Sequence, residues 1–309
     1  MMRSTLLALS RSRWLAERMP GLPFARRAVA RFMPGEELGS ALDAAAVFAA
    51  SGMGTVVTQL GENVGTVLEA DAVAAHYDGA IATIAGRGLD SCISVKLTQL
   101  GLDVDAGRTA EHVAALAARA ADYGQPLWID IESSMYTERT IELYRSLVPR
   151  HRNLGLCLQA YLRRTATDLE SLLPITSSIR LVKGAYAESA DIAFPDKADV
   201  DASYARLAGR LLRHAAAHAD APAPALATHD TRLLAQIVAD AAQAGVQRSA
   251  YEVQMLYGIR APEQRRLAGD GHRVRVLISY GAAWFPWFMR RLAERPANVW
   301  FVARALVAR

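Results

Sequence analysis

The chain has 309 residues, is 52% hydrophobic and carries a net charge of +4. That length fits one large domain, such as an α/β barrel of roughly 250 residues with an extension, and so modest a charge gives no reason to expect a nucleic-acid partner. No apolar run approaches the roughly 20 residues that a membrane-spanning helix needs, and the two cysteines, Cys92 and Cys157, sit inside apolar runs as packing residues, which suits a cytoplasmic, reducing setting.

The opening forty residues read as a basic helical extension, separate from a barrel over 41–309. As far as Phe32, Arg3, Arg11, Arg13, Arg18, Arg26, Arg27 and Arg31 stand against one acid, Glu17, with Trp14, Leu15, Phe24 and Phe32 interleaved. Such a segment suits either a solvated helical face packed on the body or a surface that touches anionic lipid on the inner face of the cell membrane. The apolar run Leu6–Leu9 is too short for a secretory signal.

Further along, apolar runs of strand length alternate with helical stretches. The runs begin near Thr55 (TVVTQL), Ser91 (SCISVKL), Pro126 (PLWIDI), Leu154 (LGLCLQ), Ile179 (IRLVK), Ala225 (ALATH), Ala250 (AYEVQ) and Val274 (VRVLI). Successive starts differ by 36, 35, 28, 25, 46, 25 and 24 residues, room for a strand and a crossover helix each time. Eight β–α units predict an α/β fold of the (βα)8 TIM-barrel type. A doubly wound sheet would need a phosphate-binding glycine pattern after the first strand, and LGENVG does not supply GxGxxG.

The strand ends carry Glu62, Lys96, Asp130 and Glu132, Gln159, Lys183, His229, then Glu252 and Gln254. In such a barrel these ends converge on one mouth, where active sites are built; Glu132 and Glu252 also suit pairs inside the barrel. There is no Ser-His-Asp arrangement, no HExxH and no His-rich set to hold a metal. Lys183 suits a Schiff base, as in barrel aldolases, and equally a cation beside the anionic edge of a reduced flavin. Gly184 would then let a planar ring approach the backbone. Arg290 and Arg291, behind the aromatic run from Trp284 to Phe288, suit a carboxylate held beside an apolar face; a basic surface helix is the plainer reading.

RLVKGAY (180–186), LATHD (226–230), YEVQMLYGIR (251–260) and FMRRLAERPAN (288–298) resemble, in this order, monofunctional bacterial proline dehydrogenases. LGEN (60–63), SVKLTQLG (94–101), IDIES (129–133) and LQAYLRRT (158–165) add to the likeness, which runs from about RFMPGE (31–36) to the end. The resemblance implies a distorted barrel holding FAD, with N-terminal helices and a final helix over the mouth. It implies oxidation of L-proline to Δ1-pyrroline-5-carboxylate by hydride transfer from C5 to flavin N5, with a quinone as final acceptor. Arg290, Arg291 and Lys96 would hold the proline carboxylate, Tyr186 and Trp287 would pack on the ring, and Asp130 would order the lysine. Glu62 would pair with Arg290 as a gate. Arg180 would lie near N5, Lys183 and Gly184 at the N1–C2 edge, and Gln159 on the isoalloxazine. Thr228, His229 and Glu294 would contact the rest of FAD. Leu277 and Trp287 stand where the family pattern has tyrosines, which removes two hydroxyls expected at the mouth. Two further readings stay open: a Schiff-base aldolase using Lys183, and a flavin-retaining regulator without turnover.

Overall fold

A computed structural model describes residues 12–19, 22–176, 178–218 and 222–294. Two short helices, α1 (Arg13–Arg18) and α2 (Pro23–Val29), precede α3 (Leu38–Ala49). The barrel then alternates β1 (Gly54–Gln59), α4 (Val67–Gly86), β2 (Ser91–Val95), α5 (Ala106–Asp122), β3 (Leu127–Ile129), α6 (Ser134–Leu147) and β4 (Leu154–Gln159). It continues with α7 (Thr165–Leu172), β5 (Ile179–Val182), α8 (Lys197–Ala217), β6 (Ala225–Ala227), α9 (Thr231–Gln243), β7 (Glu252–Leu256), α10 (Ala261–Gly269) and β8 (Arg273–Tyr280), and α11 (Trp284–Glu294) follows. All eight strands pair in parallel with their neighbours, and β8 closes on β1 with Gly54 opposite Arg275 and Gln59 opposite Tyr280.

The strands are short, aliphatic and buried on both faces, as parallel strands under helices must be. Their outward residues, such as Val57, Ile93, Leu127 and Leu181, join helix residues such as Tyr77, Leu116 and Leu211 in the main core. Their inward residues Val56, Cys92, Trp128, Ala225 and Leu277 form a separate layer inside the barrel. Local signals set the helix starts: Thr66 and Glu69 cap α4 reciprocally, and Asp105 and Asp230 cap α5 and α9.

One helix departs from the simplest barrel. The segment after β8 does not pack on the outer wall. Instead α3 covers β8 and β1, contributing Ala41, Leu42 and Ala45 to the main core. That frees α11 to lie over the mouth, where Trp284, Phe285, Trp287 and Phe288 pack with Leu60 and with Ala25, Ala28, Val29 and Phe32 from α2 and the turn after it. Trp284 is fully buried, and its indole N–H donates to Glu36 (3.1 Å).

Glu252 corrects one expectation. It is the first residue of β7 and so lies at the end of the barrel opposite the mouth, because the strand starts later than its apolar pattern suggests. There Arg275 donates to Glu252 (3.0 Å), Asp90 (2.9 Å) and the Thr55 carbonyl (3.1 Å), closing the barrel floor with a satisfied buried charge. Of the N-terminal segment, Trp14, Arg18, Arg27 and Arg31 are exposed, with Arg18 stacked over Trp14 (4.8 Å), while Phe32 is buried. Arg3, Leu6–Leu9 and Arg11 lie outside the described residues, as do the side chains of Arg13, Glu17, Phe24, Arg26 and Glu294. Among the described residues no helix is long and apolar enough to cross a membrane.

Candidate active site

Alternation along parallel strands sends every second side chain into the barrel. It aims Ser94 of β2 and Lys96 just past it, Asp130 just past β3, Arg180 within β5 and Gln254 within β7 at one another. The Arg180 guanidinium, 2% exposed, donates to Asp130 (2.6 Å), Ser94 Oγ (2.7 Å) and Gln254 Oε1 (3.3 Å) and lies over the Trp128 ring (4.8 Å). Asp130 also accepts from Ser94 (2.7 Å) and faces Lys96 Nζ at 3.7 Å. Three fixed charges and their hydrogen bonds thus form a preorganised polar layer just under the mouth.

A cavity of about 460 Å³ opens above this layer, beside Glu62, Asn63, Glu132, Tyr136, Tyr186, Trp287 and Arg290. Its roof is α11. Arg290 reaches down to Glu62 (2.6 and 3.4 Å) and lies over Tyr186 (5.4 Å to the ring centroid), and Arg291 lies over Trp287 (5.8 Å). Glu62 is not at the strand end proper. β1 stops at Gln59, and Glu62 sits on the loop beyond, where Asn63 takes a left-handed conformation (φ 55°). That loop is pinned by Thr98: Asn63 N–H donates to its hydroxyl (3.2 Å) and Val64 N–H to its carbonyl (3.2 Å).

Thr98 connects in turn to Glu132. Its N–H and its hydroxyl donate to the Glu132 carboxyl (3.1 and 2.5 Å). Burial pushes this carboxyl up to about 7, against the lowering effect of the Thr98 hydrogen bonds and of Lys96. Burial, and then the charge of Glu62, also pushes the Tyr186 hydroxyl well above the usual phenol range, so it remains a hydrogen-bond donor. Gln159, the last residue of β4, donates to the Glu132 carbonyl (2.8 Å).

The remaining site residues fall differently. Lys183, one residue past Val182, is on the outward alternation. Its ammonium is held by Asp201 of α8 (2.5 Å) and Asp230 at the start of α9 (2.9 Å), away from the Arg180 layer. Gly184 does admit a planar ring, but the ring is that of Tyr161: a Cβ there would lie 2.1 Å from it, and the backbone is left-handed (φ 119°). Leu277 faces inward from β8, half-exposed, and packs against the apolar layer within the barrel. His229 accepts the Leu256 N–H on Nε2 (2.9 Å), and Thr228, buried, accepts the Asp230 N–H (3.2 Å). The last residues of β5, β6 and β7, Val182, Ala227 and Leu256, face inward and are half-exposed, unlike every residue before them in those strands. Glu132, named from sequence as a strand-end acid but given no role at the site, lines the cavity, and Thr98, Asn63 and Tyr136, which sequence reasoning missed, join it there.

A family model described as proline dehydrogenase matches residues 41–304. Proline dehydrogenase 1 of Bacillus subtilis (strain 168) is 36% identical over 307 residues, 99% of both chains. The proline dehydrogenase of Deinococcus radiodurans is 34% identical over 282 residues, 90% of this chain and 89% of the other. Among solved structures, a proline utilization A protein from Bdellovibrio bacteriovorus superposes with a TM-score of 0.80 at 24% identity over 87% of this chain. The chain spans about a third (33%) of that protein, and the likeness is one of fold.

Proposed function

The chain belongs to the proline dehydrogenase family, and on that premise we propose that it oxidises L-proline to Δ1-pyrroline-5-carboxylate with FAD as hydride acceptor. The observation that carries the reading is the roof of the mouth cavity. There the Arg290 guanidinium, paired with Glu62 and over the Tyr186 ring, with Arg291 over Trp287 next to it, suits a small cyclic amino acid with a carboxylate.

The residues present fit a flavin. Val182, Ala227 and Leu256 leave a half-exposed aliphatic shelf at the ends of β5, β6 and β7, and Gln159, Arg180, Thr228 and His229 supply polar groups beside it. When bound, FAD would accept the hydride from proline C5. The protein's own part is to hold and orient. Arg290 and Arg291 would grip the carboxylate with Lys96, Tyr186 and Trp287 would pack on the ring, and Asp130 would keep Lys96 in place. The Glu62–Arg290 pair would close over the substrate and exclude water. Lys183 fits the outer phosphate-bearing part of FAD better than the N1–C2 edge, since it shares Asp230 with the loop of Thr228 and His229. The salt-bridged ammonium of Lys183 disfavours an aldolase nucleophile. Residues 1–40 would extend the barrel, and a quinone would be the final electron acceptor.

Anaerobic addition of proline to the purified yellow protein should bleach the flavin, and a quinone should restore the colour. A colourless protein that borohydride traps covalently on Lys183 would overturn the reading, and a yellow protein that proline never bleaches would point to a regulator.

A further inference from the structure

Resting on that reading of the substrate, we propose that Glu132 is the catalytic base that takes the proton from the ammonium of bound proline. Hydride loss from C5 needs the lone pair of the ring nitrogen. An alkyl ammonium holds its proton to about pH 10, so at neutral pH proline arrives without that lone pair. Some group at the cavity must accept a proton before oxidation.

Among the described residues at the mouth, the acids differ in what answers their charge. Glu62 is paired with Arg290, and Asp130 with Arg180 and Lys96. Glu132 lines the cavity, yet its two oxygens meet only the N–H and hydroxyl of Thr98, with no cation in direct contact. The groups around it are Lys96 and Thr98 beyond β2, Glu62 from the loop after β1, Asp130 on its own strand end, Tyr136 of α6 and Tyr186 beyond β5. Burial outweighs Lys96 and leaves the carboxyl titrating near neutrality, where a base is both available and strong enough.

The step balances within these atoms. The prolinium N–H bond breaks and an O–H bond forms on the Glu132 carboxylate, while the electron pair stays on nitrogen. Hydride loss from C5 then gives the protonated cyclic imine. The proton on Glu132 passes to water when the product leaves.

The test compares wild type with Glu132→Gln by anaerobic flavin reduction across pH. Wild-type kcat/KM should fall on the acid side with a limb near pH 7. The Gln variant should lose about a hundredfold or more at neutral pH. Its rate should instead climb about tenfold per pH unit up to about pH 10, because only proline already lacking the proton reacts. A second readout needs no turnover. Tetrahydrofuran-2-carboxylate, the ring-oxygen isostere of proline, brings no proton. Its binding at pH 8 should draw about one proton from buffer in wild type, by linkage to a carboxylate it would otherwise bury unpaired, and none in the Gln variant. Thr98→Val, which removes a hydrogen bond that lowers the proton affinity of Glu132, should move the acid limb to higher pH. A Gln variant with a wild-type pH profile, or an unmoved limb in Thr98→Val, overturns the base. An isostere that never binds wild type, together with no bleaching by proline, overturns the substrate reading beneath it.

Discussion

At the scale of single residues, the mouth tests whether an arginine near a carboxylate clamps substrate or only decorates a helix. The Arg290 and Glu62 side chains are 14% and 21% exposed, too enclosed for an ordinary surface pair. Arg290→Met should lower kcat/KM for proline roughly 30-fold or more, with FAD content near normal; a wild-type KM would remove substrate from beneath α11. Deeper in, Asp130→Ala strands a buried guanidinium, which costs about 3–5 kcal/mol in denaturant unfolding. Adding Arg180→Met should recover part of that loss, because no unpaired charge then remains. Gly184→Ala should destabilise the protein through Tyr161 and the positive φ alike, and Tyr161→Ala in the same chain should restore only the steric share. Which of these residues the sequence disclosed depends on what fixes them. Arg290, Lys96 and Asp130 lie in motifs read directly, whereas the direction of Lys183 depends on strand parity, which the motif does not reveal, since β5 ends one residue before it.

At the scale of elements, the eight strands were legible because each is a short aliphatic run at regular spacing, and their observed starts lie within two residues of those runs. What the pattern hid is where helices pack. The alanine-rich stretch Leu38–Ala49 looks like any amphipathic helix, and nothing local says that it occupies the wall between β8 and β1. Only the closed barrel shows that α11 is thereby left for the roof. Trp284 anchors that roof, fully buried and edge-on to Phe288 at 5.9 Å. Trp284→Ala should cost about 3–5 kcal/mol locally, read as faster proteolysis within α11 and a higher KM for proline. On the outer side of the same cap, exposed Trp14, Arg18, Arg27 and Arg31 favour a peripheral lipid contact. Co-sedimentation should rise with anionic lipid and fall with salt, since each basic group at such a surface is worth roughly 1 kcal/mol; equal binding to neutral vesicles would count against it.

At the scale of the whole molecule, two groups pull stability in opposite directions with pH. Glu132 titrates higher when folded, about 7 against an ordinary 4.5, so its contribution is complete below pH 4.5 and is lost as pH rises through 7. The loss is on the order of 3 kcal/mol, and Glu132→Gln should flatten it in unfolding free energies measured from pH 5 to 8. Asp230 behaves oppositely. Burial pushes its carboxyl up, but hydrogen bonds from Lys183 and Lys197 outweigh burial and hold it well below the usual range, so its contribution is present at neutral pH and fades on acidification. The closure of β1 on β8 has a consequence in time. Residues from Gly54 onward leave the ribosome long before Arg275 exists to meet them, so one edge of the nascent sheet stays open until nearly the whole barrel has been made. Such non-local pairing makes for slow folding and a long interval in which that edge can meet another chain. The roof helix emerges later still. Nascent chains that stall before Trp284 would therefore hold every strand of the barrel and still be unable to grip a substrate.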